Sequence, residues 1–365
     1  MAKGKYLKKQ KASVGKKIGR VALAILLVIV LLLGAVFAFV WSKLSLITYD
    51  DGSAGETIAP TSAVSPSEFA DLPMATEETE PVELIDITGL SMEDAPDYSD
   101  GELFKDKNVM NILLVGSDER TDGFIQNARY DLNILVSINK AEKTVKLVSF
   151  SRCIAIKMLD GPYKGQYEWL TSAHRWAGPV AVMEAMEDAF KIELDRYVRV
   201  NFNSVMEIVD AIGGIEMELT EPEVKHFKSF RDWDFVVGVN HLTGWQALDY
   251  ARLRAVDTDW GRIERQRRCI LAVVEKLKGS TFAELNDLCD MALPMIQTNL
   301  TKGEIAELIL YAPKFLESDF DQMTIPLDNS YNGMKVMSGS VGYALNYEKN
   351  NAALHEFLFT SNSAG

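Results

Sequence analysis

The chain has 365 residues, a formal net charge of −14 and a 47% share of hydrophobic residues. Its length allows two domains, and its acidity excludes a general nucleic-acid binder, which needs a basic surface to meet phosphates. The four histidines lack metal-binding spacing, which argues against a histidine-ligated metal. The three cysteines (Cys153, Cys269 and Cys289) match no zinc or disulfide framework.

The N-terminus has the pattern of a membrane anchor. Residues 1–20 carry eight Lys or Arg and no acid, and residues 21–41 are uncharged. As a helix, residues 21–41 would reach roughly 31 Å, enough to cross the hydrocarbon core. This run is too long for a cleaved signal peptide. The sequence therefore predicts a basic cytoplasmic tail, a single uncleaved transmembrane helix, and a C-terminal part outside the cell.

Residues 42–102 differ in composition from the rest of the chain. They hold fifteen acids against one base, Lys43, and are rich in Pro, Ser and Thr. Such a stretch cannot bury enough apolar area to offset the entropy lost on ordering. We therefore expect a disordered acidic extracellular linker at 42–102 and a folded extracellular domain at 103–365.

The folded domain begins with three runs of β character. Residues 111–116 form a short apolar run that ends in glycine, which is typical of a buried strand. Residues 132–139 and 144–150 are rich in β-branched and apolar residues, and the four residues between them predict a hairpin.

Helical and strand patterns alternate through the rest of the chain. Expected helices cover 179–190, 204–212, 243–250, 260–277, 281–298, 302–314 and 350–359, and expected strands cover 197–202, 215–219 and 322–327. This alternation predicts one α/β domain with a central sheet covered by helices on both faces.

Charged residues stand at the ends of the first predicted strands. Asp118 and Glu119 follow the first strand, Asp131 opens the second, and Arg152 follows the third. Ligands of open α/β sheets bind beyond strand ends, and carboxylates suit Mg²⁺ or Mn²⁺. Each residue also has a local explanation, as a turn former, a cap or a surface ion pair. Together, a metal and arginines would provide what pyrophosphate chemistry needs.

Six arginines and no lysine lie between residues 247 and 268. The planar guanidinium binds phosphate or carboxylate oxygens in pairs. Arg252 and Arg254 are two apart and would point to one side of an extended segment. These two residues therefore predict part of an anionic-ligand site.

The next helix carries the rest of that candidate site. Asp259 can cap a helix whose first turns hold Arg262 and Gln266, both on the flank of its apolar face. Arg265 and Arg268 fall opposite, where we expect a solvated charge run.

Some other residues have two readings. His174 could serve as a general base, although a structural or rim position is the preferred interpretation. Trp169, Trp176, Trp245 and Trp260 could line a lipid or sugar groove, but we expect most of them to pack in the core.

The motifs described above occur in the same order as those of the LytR-CpsA-Psr catalytic domain, and the chain resembles that family. The resemblance rests on residues 111–120 (Asn-Ile-Leu-Leu-Val-Gly-Ser-Asp-Glu-Arg), Arg129-Tyr130-Asp131, Ser151-Arg152, residues 209–217, residues 241–248, Arg252-Leu253-Arg254, and residues 259–266. The series covers roughly residues 109–277, and as an ordered set it is far more specific than any one motif.

This resemblance implies a three-layer α/β/α fold with a central mixed sheet, and an enzyme of Gram-positive cell envelopes. Such a phosphotransferase moves a glycopolymer, of wall teichoic acid or capsular polysaccharide type, from an undecaprenyl-pyrophosphate carrier onto peptidoglycan. The expected partners are therefore the lipid-linked donor, the peptidoglycan acceptor and membrane lipid, with no nucleic acid.

The resemblance also implies roles for particular residues. Pyrophosphate would be held by Arg120, Arg129, Arg152, Arg252, Arg254, Arg262 and Gln266. Mg²⁺ (or Mn²⁺) would be held by Asp131 with Asp118 or Glu119. The residues expected to contribute to catalysis are Arg129, Asp131, Arg152, Arg254, Asp259 and Arg262, and Asp131 and Asp259 are the carboxylates to test as a base.

One residue departs from the family pattern. An aspartate usually follows the arginine of Ser-Arg, and this chain has Cys153 there. The change removes a carboxylate that could orient Arg152, and it favours an alternative in which the protein is a non-catalytic envelope module that binds lipid-linked pyrophosphate as a sensor or scaffold. Since nearly all the arginines are present, transfer remains the favoured function. We expect the Cys153 thiol to be a small buried hydrophobe.

Overall fold

The computed structural model describes residues 48–49, 84–85, 102–119, 124, 128–278 and 280–360. These residues fall within the unit Ile47–Gly365. The predicted basic tail and transmembrane segment lie outside the described residues, and so does most of the predicted linker at 42–102. None of the helices in the described ranges has both the length and the apolar character that crossing a bilayer requires.

The strands, in chain order, are β1 (Thr48–Tyr49), β2 (Leu84–Ile85), β3 (Val109–Ser117), β4 (Tyr130–Asn139), β5 (Thr144–Phe150), β6 (Ala155–Lys157), β7 (Tyr167–Trp169), β8 (Arg196–Asn201), β9 (Ile215–Leu219), β10 (Gly238–Leu242), β11 (Gln297–Thr298), β12 (Phe320–Ile325), β13 (Tyr331–Lys335) and β14 (Val341–Leu345). The α-helices are α1 (Leu170–Phe190), α2 (Phe202–Ala211), α3 (Glu221–Arg231), α4 (Gly244–Arg252), α5 (Asp259–Leu277), α6 (Phe282–Ala292), α7 (Lys302–Leu316) and α8 (Tyr347–Phe359). Short 3₁₀ turns cover Gly161–Tyr163 and Leu293–Met295.

The central sheet has the strand order β1-β11-β8-β3-β4-β5-β12. It is mixed, because β3 pairs in parallel with β8 and β5 with β12, whereas β4 is antiparallel to both β3 and β5. The predicted hairpin is confirmed: β4 and β5 are joined at residues 140–143, where Lys143 has a φ of 60°.

Alternating side chains on the central strands bury the two faces of the sheet against different helices. On one face Leu113, Leu135 and Val148 pack with residues of α1 and α8 in the main core. On the other face Ile134 and Leu147 pack with residues of α5 and α7. Period-two alternation places successive side chains on opposite faces, so both faces are apolar and both are covered. The predicted α/β fold is confirmed.

A smaller core lies beside the sheet. Strands β9 and β10 form an antiparallel pair, and their buried side chains pack with Val209 of α2, Phe227 of α3 and Tyr250 of α4. Helices α2 and α4 approach closely at Gly244, where an added Cβ would lie 2.0 Å from the Met206 carbonyl oxygen. This close packing fixes α4, and with it the chain that leads into α5.

Several expectations need correction. The range of α1 holds two helical segments that meet at a kink, because Gly178 has a non-helical φ of 76°. The segment after the kink starts at Pro179, as expected, whereas the segment that starts at Leu170 was not expected. The expected helix at 281–298 ends at Ala292, and a 3₁₀ turn and strand β11 follow. Helix α3 and the hairpin formed by β13 and β14 were not expected.

Candidate functional site

The candidate site lies at one edge of the central sheet. Asp118 follows β3, Asp131 is the second residue of β4, and Arg152 comes two residues after β5. Because β4 is antiparallel to both of its neighbours, the end of β3, the start of β4 and the end of β5 meet at the same edge. The first turn of α5 contributes Asp259 and Arg262 there.

Three guanidinium groups converge on the Asp131 carboxylate. Its oxygens lie 3.5 Å from Arg152 Nη1, 3.5 Å from Arg254 Nη2 and 3.9 Å from Arg262 Nη1. Burial alone would raise the pKa of Asp131, but Arg262, Arg152, Arg254 and Arg129 together lower that pKa to about 2. Asp131 is therefore a permanent anion that holds these arginines in place.

Arg262 is the most deeply buried cation of this cluster, at 1% exposure. Its Nη2 lies 2.7 Å from Asp259 Oδ1, close enough for an ion pair. Yet Nε, Nη1 and Nη2 make no well-directed hydrogen bond to the described residues. Burial lowers the pKa of Arg262 to about 10 although Asp259 opposes the shift. A buried guanidinium with unused N–H groups can donate hydrogen bonds to the oxygens of an anionic ligand with little reorganisation.

Asp259 joins two members of the cluster. Its Oδ1 lies 3.3 Å from Arg152 Nε and 2.7 Å from Arg262 Nη2. The expectation that Asp259 caps helix α5 is wrong, since the N-cap position is Thr258 and Asp259 is the first helical residue. Being inside the first turn directs its carboxylate toward the arginines.

Asp118 supplies a second carboxylate at the strand ends. Its Oδ1 accepts a hydrogen bond of 3.0 Å from the Arg129 backbone N–H. Burial and the nearby charge of Asp131 raise the pKa of Asp118, although the hydrogen bond and the charge of Arg129 oppose them. The two carboxylates repel each other, and their oxygens are hard donor atoms. Such a pair suits a divalent cation such as Mg²⁺. Within the described ranges, however, no three or more His, Cys, Asp or Glu residues form a metal-binding group. A cation here would complete its shell with water or substrate oxygens.

Glu119, the other candidate metal ligand, faces a different partner. It is 4% exposed, forms an ion pair with Arg199 of β8, and accepts a hydrogen bond from the Ser117 hydroxyl. This carboxylate is engaged in the protein interior, so the structure favours Asp118 over Glu119 beside Asp131. Sequence reasoning missed Arg199, whose signal was an arginine at an inward position of an alternating strand.

Gln266 and Arg252, two further residues predicted to bind pyrophosphate, have different surroundings. Gln266 donates from Nε2 to the Asp131 backbone carbonyl at 3.4 Å and so lies at the cluster. Arg252 is the last residue of α4, not part of an extended segment, and its guanidinium lies 4.5 Å from the Phe202 ring centroid. Arg120 lies outside the described residues.

The two arginines expected to be solvated are not. Arg265 is 3% exposed and binds both Asp257 and Glu223, with a further hydrogen bond to the Leu253 carbonyl. Arg268 is half-buried against the Tyr250 ring. Arg265 and Arg268 do lie on a different side of α5 from Arg262 and Gln266, as expected. That side packs on the smaller core, however, and does not face solvent.

His174 and Cys153 are both buried. His174 is fully buried beside the Tyr130 ring, with Nε2 3.0 Å from Asn133 Oδ1. Burial, helped by Arg199, holds the pKa of His174 well below its usual 6.5, so the ring is neutral. The structural interpretation of His174 is therefore confirmed. Cys153 is 8% exposed, which confirms its expected burial.

Comparison with known proteins gives a family match over most of the chain. The LytR_cpsA_psr family profile matches residues 71–353. A polyisoprenyl-teichoic acid–peptidoglycan teichoic acid transferase, TagU of Enterococcus faecalis, is 30% identical over 60% of this chain and 70% of its own length. TagV of Bacillus subtilis, which carries the same transferase name, is 28% identical over 69% of this chain and 65% of its own length.

Solved structures share the fold. A structure of TagT bound to LI-WTA superposes with a TM-score of 0.56 at 22% identity, covering 72% of this chain and 96% of TagT. The crystal structure of B. subtilis TagV gives 0.55 at 24% identity, covering 70% of this chain and all of TagV. At these identities the likeness concerns the fold alone.

Proposed function

The chain belongs to the LytR-CpsA-Psr family, and on that premise we propose that it is an envelope phosphotransferase. It moves a glycopolymer, of wall teichoic acid or capsular polysaccharide type, from an undecaprenyl-pyrophosphate carrier onto peptidoglycan. The relatives named as polyisoprenyl-teichoic acid–peptidoglycan transferases support this substrate class.

The observation that carries the proposal is the state of Arg262. Its guanidinium is buried and charged, yet its three nitrogens have no hydrogen bond among the described residues. Arg152 and Arg254 lie around the same carboxylate, Asp131. A pyrophosphate group offers several oxygens and negative charge in a small volume, which matches preorganised arginine donors.

The reaction is a displacement at phosphorus. A peptidoglycan sugar hydroxyl attacks the phosphorus that carries the glycopolymer, and a new P–O bond forms. The bond from that phosphorus to the bridging oxygen breaks, so that polyprenyl phosphate leaves with the electron pair. Arg152, Arg254 and Arg262 stabilise the charge on the phosphoryl oxygens and on the leaving group.

The hydroxyl proton needs an acceptor. Asp131 is a weak one, because a carboxylate with a pKa of about 2 has little affinity for a proton. Its role is therefore electrostatic, as the anion that fixes the arginines. Asp259, the other carboxylate of the cluster, is the better residue to test as the base.

A divalent cation fits beside the arginines. Asp118 and Asp131 would hold it, and when bound it would neutralise charge on the phosphoryl oxygens. Arg129 would keep Asp118 oriented, through the hydrogen bond from its backbone N–H. The side chains of Arg152 and Arg254 would hold the rest of the pyrophosphate.

The protein acts at the outer face of the cell membrane. Residues 21–41 anchor it and the basic residues 1–20 stay in the cytoplasm. Protease added to intact protoplasts will trim the chain to its anchor. An ectodomain that survived this treatment would contradict the topology.

The decisive experiment is turnover of a polyprenyl-pyrophosphate-linked glycan by the purified full-length protein, with peptidoglycan as acceptor. We expect release of polyprenyl phosphate together with glycan bound to peptidoglycan, and loss of both products in Arg262→Ala. A protein that binds the donor but releases no polyprenyl phosphate would instead be a sensor or scaffold. Cys153, in place of the family's aspartate, is the feature that favours that second outcome.

A further inference from the structure

Three aromatic side chains lie together beside the arginine cluster. The ring centroids of Tyr331 and Tyr343 are 4.5 Å apart, and those of Trp260 and Tyr343 are 6.4 Å apart. The planes of Trp260 and Tyr343 are within 4° of parallel. All three side chains are half-buried, so each keeps part of its surface in contact with solvent. We name Trp260, Tyr331 and Tyr343 the aromatic platform.

The platform is connected to the arginine cluster through the backbone. Trp260 directly follows Asp259, whose carboxylate pairs with Arg152. Tyr343 donates its backbone N–H to the Cys153 carbonyl at 2.8 Å, and Cys153 directly follows Arg152. The platform therefore cannot move far from the residues that would hold pyrophosphate.

Trp169 fixes the hairpin that carries two of the platform rings. Its indole N–H donates to the Val341 carbonyl at 3.0 Å. The Arg152 guanidinium lies 5.8 Å from the centroid of the Trp169 ring. The ring of Trp169 thus lies against Arg152 of the arginine cluster, and its indole N–H is bonded to β14.

The surroundings suit a ligand that is both apolar and polar. A pyranose ring has faces of C–H groups that pack on aromatic rings and hydroxyls that need donors and acceptors at its edge. Aromatic rings supply large rigid contact surfaces. Asp259 precedes Trp260 in the chain, and Arg152 precedes Cys153, whose carbonyl accepts the hydrogen bond from the Tyr343 backbone N–H. A polyprenyl chain, by contrast, has no hydroxyl or other polar group that could hydrogen-bond at the edge of the rings.

We propose that Trp260, Tyr331 and Tyr343 form a sugar subsite that packs a pyranose ring next to the arginine cluster. This inference rests on the proposed function, and it identifies the part of the site that recognises the glycan. Because two glycans meet at the phosphorus, the ring belongs either to the donor glycopolymer or to the peptidoglycan acceptor.

The test uses the full-length protein and three probes. A soluble tetrasaccharide of alternating N-acetylglucosamine and N-acetylmuramic acid reports the acceptor, by calorimetric titration. The lipid-linked glycan reports the donor, through the KM of turnover. Inorganic pyrophosphate reports the arginine cluster alone. Trp260→Ala is compared with Trp245→Ala, which removes a tryptophan that is 48% exposed on α4.

We expect Trp260→Ala to weaken tetrasaccharide binding, or to raise the donor KM, by about ten-fold, the scale of losing one aromatic stacking contact. Pyrophosphate affinity should stay unchanged, and Trp245→Ala should behave as wild type. Trp260→Phe should recover part of the loss, because it restores a stacking face. Whichever glycan probe weakens identifies the bound ring.

The inference is overturned if Trp260→Ala and Tyr343→Ala bind both glycan probes as well as wild type. Should Tyr343→Ala fail to fold, Trp260→Ala and Trp260→Phe carry the test alone. A wild-type protein that binds the tetrasaccharide but not pyrophosphate would refute the proposed function and leave the sugar subsite standing.

Discussion

Arg152 and Asp259 are 107 residues apart in the chain, and Arg152 Nε lies 3.3 Å from Asp259 Oδ1. Arg152 Nη1 also lies 3.5 Å from Asp131. One guanidinium therefore connects the end of β5, the start of β4 and the start of α5. The arginine cluster exists only when α5 is docked on the sheet, so the site is a property of the tertiary structure.

The first prediction concerns Arg262, replaced by methionine to keep most of its volume. Turnover should slow. The loss of transition-state stabilisation should be at least about 2 kcal/mol, the scale of losing one preorganised donor. Stability should fall only modestly, because Asp131 and Asp259 keep Arg152 as a partner. Burial lowers the pKa of Arg262 to about 10 in the folded state, so below pH 10 the charge of Arg262 itself disfavours folding. Steady-state kinetics and thermal melting of the same sample check both statements.

Arg265 is the matched contrast, on the same helix and equally hidden from solvent at 3% exposure. Both of its terminal nitrogens, Nη1 and Nη2, have partners, in Glu223, Asp257 and the Leu253 carbonyl. Arg265→Met leaves Glu223 buried without its partner, which should cost about 3–5 kcal/mol of unfolding free energy. Denaturant-induced unfolding measures this change in unfolding free energy. Equal stability of the Arg262 and Arg265 variants would contradict the separation of roles.

Most of the central fold could be predicted, because its elements show strong local patterns. Strands β3, β4 and β5 are apolar and end at clear turn signals, and the central sheet buries them on both faces. Helix α3 was missed because its buried surface depends on contacts with β9, β10 and α4, which no local window contains. The β13–β14 hairpin was missed for a similar reason, since its partners are β2 and the chain near Cys153.

The site divides in the same way. Asp131, Arg152 and Arg262 were candidates because strand ends and helix spacing are readable from sequence. The environments of Arg265 and Glu119 were not, because each has its partner on an element distant in the chain, Glu223 for one and Arg199 for the other. A charged residue with a distant buried partner gives no local signal that separates it from a solvated one.

The metal prediction uses Asp118 and Asp131. Chelation should abolish turnover, and Mg²⁺ or Mn²⁺ should restore it, because the cation would neutralise charge on the phosphoryl oxygens. Burial and the charge of Asp131 raise the pKa of Asp118, and a bound cation would oppose this shift. Added Mg²⁺ should also raise the melting temperature of wild type. Asp118→Asn should lose both responses, whereas Asp160→Asn, at an exposed position, should keep them. Full turnover in chelator would show that the two acids have a structural role.

The fourth prediction concerns the pH dependence of stability. The pKa of His174 is held well below 6.5 in the folded state, so the unfolded chain takes up a proton below pH 6.5 and the folded chain does not. The unfolding free energy should therefore fall with decreasing pH, by up to about 1.4 kcal/mol per unit from this residue.

The check is the slope of unfolding free energy against pH between 6.5 and 5.5. His174→Gln should make the slope shallower, since glutamine does not titrate, whatever the variant's stability at neutral pH. An unchanged slope in His174→Gln would mean that the buried ring takes up a proton in the folded state.

The last prediction concerns Cys153, which stands where the family usually has aspartate. The structure supplies Arg152 with two other acids, Asp131 and Asp259, so a third is not needed to orient it. Cys153→Ala should therefore keep turnover within a few-fold, and Cys153→Asp should be tolerated or raise it. The thiol, at 8% exposure, should react slowly with iodoacetamide at neutral pH until the protein unfolds, as read by peptide mapping. Rapid alkylation of the folded protein, together with loss of turnover in Cys153→Ala, would instead mean that the thiolate acts at the site.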